Sequence, residues 1–117
     1  METDLPPLVQ RTVRRLIRSF APERIILIGS YAKGRVRLGS DVDLLVVADL
    51  PGRPDLHARR ARQLAADCFP PIDVLLATPQ DVAMADRAES PFLLSVLGSG
   101  KVIYERASDP AQVRHLR

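Results

Sequence analysis

The sequence has no tryptophan, and its two tyrosines and three phenylalanines make up only 4% of the chain. So little aromatic surface leaves no stacking platform for bases, which argues against a nucleic-acid-binding module. A single cysteine, Cys68, excludes an intramolecular disulfide framework and any zinc site built from several thiolates. The two histidines, His57 and His115, are too few and too scattered for a histidine-rich metal site. No apolar run approaches the roughly 20 residues that a membrane-spanning helix needs. The segment Met1-Glu-Thr-Asp-Leu-Pro-Pro7 lacks the basic and then apolar regions of a secretory signal. A strong excess of charge is missing too. Against 14 Asp+Glu stand 17 Lys+Arg, a net +3 that is small for a protein dedicated to gripping a phosphate backbone. The arginines are spread out, from Arg11, Arg14, Arg15 and Arg18 to Arg35, Arg37, Arg59, Arg60 and Arg62, and read as solvated faces.

What is present is an ordinary globular chain of 117 residues, 46% hydrophobic and 26% charged. That is enough for one core without staples. The reading is a soluble, cytoplasmic protein with a single domain over residues 1–117.

Val9, Val13, Leu16, Ile17 and Phe20 recur at helical spacing and predict an amphipathic helix from about Leu5 to Phe20, opened by Pro6-Pro7 and closed by Ala21-Pro22. Arg24-Ile-Ile-Leu-Ile-Gly29 predicts a buried strand. Gly29-Ser-Tyr-Ala-Lys-Gly34 predicts a tight turn opening a short helix. Asp41-Val-Asp-Leu-Leu-Val-Val47 predicts a second strand, and about Asp55 to Cys68 a second helix burying Leu56, Leu64 and Cys68. A third strand is expected at Ile72-Asp-Val-Leu-Leu76, and a helix start at Thr78 with Asp81 completing its cap. A helical turn over Phe92–Leu97 and a short strand at Lys101-Val-Ile-Tyr104 follow. Such alternation is an α/β (α+β) pattern, a mixed sheet of about four strands flanked by helices. The link Gly34–Ser40 is too short for a crossover helix, so the first two strands are expected to be antiparallel neighbours.

Three features carry chemistry. Gly29-Ser30 follows a buried strand, where a glycine lets the backbone turn sharply and approach a ligand. The freed amides and the Ser30 hydroxyl suit phosphate. Asp41 and Asp43 alternate along a strand and so share a face, with Cα atoms roughly 6.5–7 Å apart. Two carboxylates at that reach suit Mg²⁺, a hard cation that prefers oxygen ligands. Asp73 opens the third strand. If that strand lies beside the second, the three acids meet on one face, and their mutual repulsion calls for a cation.

Gly29-Ser30, ten intervening residues, Asp41-Val-Asp43 and then Asp73 resemble the nucleotidyltransferase superfamily typified by DNA polymerase beta. The stretch Leu27-Ile-Gly-Ser-Tyr-Ala-Lys-Gly34, with Gly39-Ser-Asp-Val-Asp-Leu-Leu45, is similar to the minimal nucleotidyltransferase (MNT) domains of HEPN/MNT toxin–antitoxin pairs. Lys33 stands where relatives often carry arginine, which keeps the charge. The resemblance implies Mg²⁺-dependent transfer of a nucleoside monophosphate, AMP from ATP, to a hydroxyl. Asp41, Asp43 and Asp73 are implied to be catalytic metal ligands, with Asp73 also accepting the hydroxyl proton. Gly29, Ser30 and Lys33 are implied to bind the nucleotide, and Arg35 or Arg37 to assist Lys33 at the leaving pyrophosphate. Tyr31 is assigned no role. The implied acceptor is a HEPN toxin, the chain acting as antitoxin in a homo- or hetero-oligomer. Alternatives are a stoichiometric, non-catalytic antitoxin or transfer to a small molecule such as an aminoglycoside. Larger relatives carry a helical substrate domain after the catalytic one, so the acceptor site is expected on another chain.

Overall fold

The computed structural model describes residues 5–29, 31, 32, 34, 41–85 and 90–106. Helix α1 (Pro7–Phe20) starts with a proline in its first turn, where a missing N–H costs nothing. It ends at Ala21, a left-handed C-cap (φ 45°) whose N–H donates to the Ile17 carbonyl. Leu5, placed inside this helix by the sequence pattern, precedes it but is buried all the same. Strands β1 (Arg24–Ile28) and β2 (Val42–Val47) pair antiparallel, Ile28 opposite Asp43, as expected from the sequence. Helix α2 (Pro54–Ala65) then crosses over, so β3 (Ile72–Ala77) runs parallel to β2. Two short helices, α3 (Pro79–Ala83) and α4 (Pro91–Ser99), lead to β4 (Lys101–Glu105), antiparallel to β1. The sheet order is β3-β2-β1-β4.

Strand alternation divides the core into two layers. On one face Ile25, Leu27, Val42, Leu44 and Val46 meet Val9, Val13 and Leu16 of α1, with Leu64 of α2 packed alongside. On the other, Ile26, Leu45, Val47 and Ala77 meet Val96 of α4, and Val82 of α3 joins them. Strands β1 and β2 are therefore apolar at nearly every position. Gly100 makes the α4–β4 turn possible. A Cβ there would stand 2.6 Å from the Val96 carbonyl oxygen and would also strike Ile26.

Helix α2 departs from the sequence reading. It ends at Ala65 rather than Cys68, because Ala66 and Cys68 donate to carbonyls only three residues back, a tightened turn. That turn still carries Cys68 into the core. Leu56 is 48% exposed, not buried. It lies five residues before Ala61, roughly 140° around the helix from the stripe Ala61–Ala65 that faces α1 and the sheet. The expected capping box is present: Asp81 N–H donates to Thr78 Oγ1 (3.0 Å), and Thr78 N–H donates to the Asp81 carboxylate (2.9 Å). Among the described residues, no helix is long and apolar enough to cross a membrane.

Candidate active site

The site forms at the end of β2, where the antiparallel and parallel pairings meet. Register places Asp43 opposite Ile28 on β1 and opposite Asp73 on β3. Laterally paired residues share a face, so Ile28, Asp43 and Asp73 form a row across the sheet on the α4 side. Asp41, two residues before Asp43, extends the acidic surface past the strand's end, where it is exposed. The structure thus makes Asp43 and Asp73 lateral neighbours, the condition the sequence left open.

Gly29 closes the row on the β1 side. Its φ is +75°, the left-handed region that favours glycine. A Cβ at this position would stand 2.6 Å from Asp43 Oδ2. Sequence reasoning gave this glycine room for a ligand; part of that room is taken by the Asp43 carboxylate. The described residues after it, Tyr31, Ala32 and Gly34, form a turn, with Gly34 N–H donating to the Tyr31 carbonyl (3.3 Å). Tyr31 and Ala32 pack against the α1-side core. Ser30, Lys33, Arg35 and Arg37 lie outside the described residues, and so does any helix their segment was expected to open.

Electrostatics single out Asp43. Its pKa is raised above the ordinary 3.8, first by burial, then by the charge of Asp73, then by that of Asp41. The ion pairs among the described residues join Arg11 and Arg15 to Asp67, Arg24 to Glu23 and Arg53 to Asp55; none touches the three acids. Also among the described residues, no group of three or more His, Cys, Asp or Glu is arranged to hold a metal ion, so the three carboxylates are not drawn onto one point. Their chemistry fits a hard divalent cation nonetheless. All three offer carboxylate oxygen, and the half-buried Asp43 is short of positive charge.

One neighbouring feature carried no sequence signal. A groove of about 390 Å³ runs between the C-terminal end of α2 and β3, with Arg62, Cys68, Ile72 and Asp73 in its lining. It joins residues from two elements that only the crossover brings together.

Comparison with known proteins places the chain in a family. The family model Polymerase beta, Nucleotidyltransferase matches residues 11–109. A Methanocaldococcus jannaschii protein, named as an inferred protein adenylyltransferase, is 34% identical over 87 residues. The match covers 70% of this chain, and the chain spans 58% of that relative's length. A crystal structure of a toxin–antitoxin with AMP-PNP contains a chain of similar fold, at TM-score 0.57 and 22% identity. That likeness covers 92% of this chain and 88% of the other. With the family model spanning most of its length, the chain belongs to the polymerase beta-type nucleotidyltransferase family.

Proposed function

We propose that this chain is a single minimal nucleotidyltransferase domain that transfers AMP from ATP to a side-chain hydroxyl of a partner toxin and so acts as its antitoxin. The observation that carries the reading is the register match of Asp43 with Asp73 beside the Gly29 turn. The names of the Methanocaldococcus relative and the toxin–antitoxin neighbour support the substrate and the setting.

In this reading Asp41, Asp43 and Asp73 hold Mg²⁺. When bound, the metal offsets triphosphate charge and makes the attacking hydroxyl more acidic. The acceptor oxygen attacks the α-phosphorus while the bond from that phosphorus to the bridging oxygen breaks, so pyrophosphate leaves. Asp73 takes the hydroxyl proton. The Gly29 turn brings backbone close to the phosphates, and Ser30 and Lys33 bind them, Lys33 matching the charge of the leaving group. Arg35 and Arg37 are further candidates for that last role.

Incubation with α-labelled ATP, Mg²⁺ and the candidate toxin tests the proposal. Label is expected on the toxin, reduced more than about 100-fold by Asp41→Ala/Asp43→Ala. That figure is the upper end of what losing a residue that only orients a metal ligand costs. Undiminished neutralisation of the toxin by the double variant would establish a stoichiometric antitoxin instead. Label on an aminoglycoside but on no protein would move the acceptor to a small molecule.

A further inference from the structure

Strand β3 ends the sheet, with β2 on one side and, among the described residues, no strand on the other. The Pro71 and Ala77 carbonyls accept from Val42 and Ala48 (2.9 Å each), so the odd-numbered peptide groups of this strand face β2. By alternation the N–H and C=O groups of Ile72, Val74 and Leu76 point away from the sheet. This unpaired row borders the groove that holds Arg62 and Asp73. Arg62 is exposed and has no acidic partner among the described residues.

We propose that the acceptor polypeptide docks as an extended strand on this edge, placing its hydroxyl residue beside Asp73 and an adjacent acidic residue against Arg62. The inference rests on the activity proposed above. Its basis is the register of the sheet. The row Ile28–Asp43–Asp73, continued one strand outward, reaches an added residue on the same face as Asp73. Side chains directly opposite across strands have Cβ atoms about 4.5–5.5 Å apart, within reach of a proton-accepting carboxylate. The residues before and after that one necessarily point to the other face. That is the face covered by α2, whose Leu64 packs against the same core as Ile72, Val74 and Leu76, and it is where Arg62 flanks the groove. Alternating amides and carbonyls are matched by another peptide backbone and by no nucleic-acid strand. Arg62 is therefore a specificity-determining residue that selects acceptors with a carboxylate next to the hydroxyl.

The test uses the full chain and fluorescein-labelled ten-residue peptides of alternating threonine and valine. Each carries a central serine or tyrosine flanked on both sides by glutamate or by lysine. At low salt the glutamate-flanked peptides are expected to bind roughly fivefold to tenfold more tightly, the swing between one exposed attraction and one repulsion. Arg62→Gln should abolish the preference and Arg62→Glu should reverse it. Binding should also slow hydrogen exchange at the amides of Ile72, Val74 and Leu76. Failure of any peptide to bind, charge-blind binding, a preference untouched by Arg62→Glu, or protection confined to other strands would each overturn the docking site. So would displacement of the peptides by a single-stranded RNA of equal length. Adding labelled ATP and Mg²⁺ separates the two proposals. A peptide that docks as described but takes no label rejects the activity and keeps the edge. Label on a partner protein without protection of the β3 amides rejects the edge and keeps the activity.

Discussion

Asp43 is placed where its charge is unwelcome: partly buried, flanked by two acids, with Gly29 pressed against its oxygen. Its ionisation is harder in the folded chain than in the unfolded one. Such a group favours the fold below its ordinary pKa, and that contribution is lost as pH rises through the raised value. Asp43→Asn should therefore melt higher than the parent at neutral pH in a chelator, with the gap closing below pH 3.8, measured by thermal denaturation across pH. A parent that melts higher at neutral pH would mean the carboxylate is compensated by a cation of the protein itself. Gly29 is constrained from two sides, by its φ of +75° and by the 2.6 Å approach of Asp43 Oδ2 to any Cβ. Gly29→Ala should destabilise by about 1–2 kcal/mol from the backbone term, read from urea midpoints. Combining it with Asp43→Ala should cost less than the sum of the two, because the second change removes the atom the methyl strikes.

Among the elements, α1 and α2 share a face of the sheet but bury themselves differently. The first inserts Val9, Val13 and Leu16, all fully buried, whereas the second offers Ala61 and Ala65, small enough for the helices to lie close. Arg11 and Arg15 of α1 both reach Asp67 in the turn after α2, at 3.1 and 3.2 Å. These pairs are exposed and set orientation more than stability. Leu16→Ala should cost about 2–5 kcal/mol, while Leu56→Ala should stay within about 0.5 kcal/mol, both measured by urea denaturation. Periodicity made α1 legible because its apolar stripe is long and bulky. It misplaced Leu56 because a stripe of alanines is nearly silent in a hydrophobic pattern. The Thr78–Asp81 cap was legible, since both of its hydrogen bonds are local. The exposure of Phe92 and Leu94 on α4 was not, since that helix is apolar on nearly every side and sequence alone does not rank its faces.

For the whole molecule, the order of strands decides what could be foreseen. The antiparallel pairing of β1 and β2 was legible in the sequence, since the stretch Gly34–Ser40 leaves no room for a crossover helix. The meeting of Asp43 with Asp73 depended on β3 joining β2 rather than another strand, which is a property of the crossover through α2. The groove with Arg62 had no sequence signature, because its walls come from a helix end and a strand that touch only after that crossover. The sheet order β3-β2-β1-β4 has a temporal consequence as well. During synthesis from the N-terminus, β1, β2 and β3 all emerge before β4, so the acidic row can assemble while the chain is still growing. Until β4 arrives, however, β1 is an open edge carrying Ile25, Ile26 and Leu27, a template for pairing with another nascent chain. β4, which contributes none of the three acids, is thus the strand whose arrival closes the β1 edge.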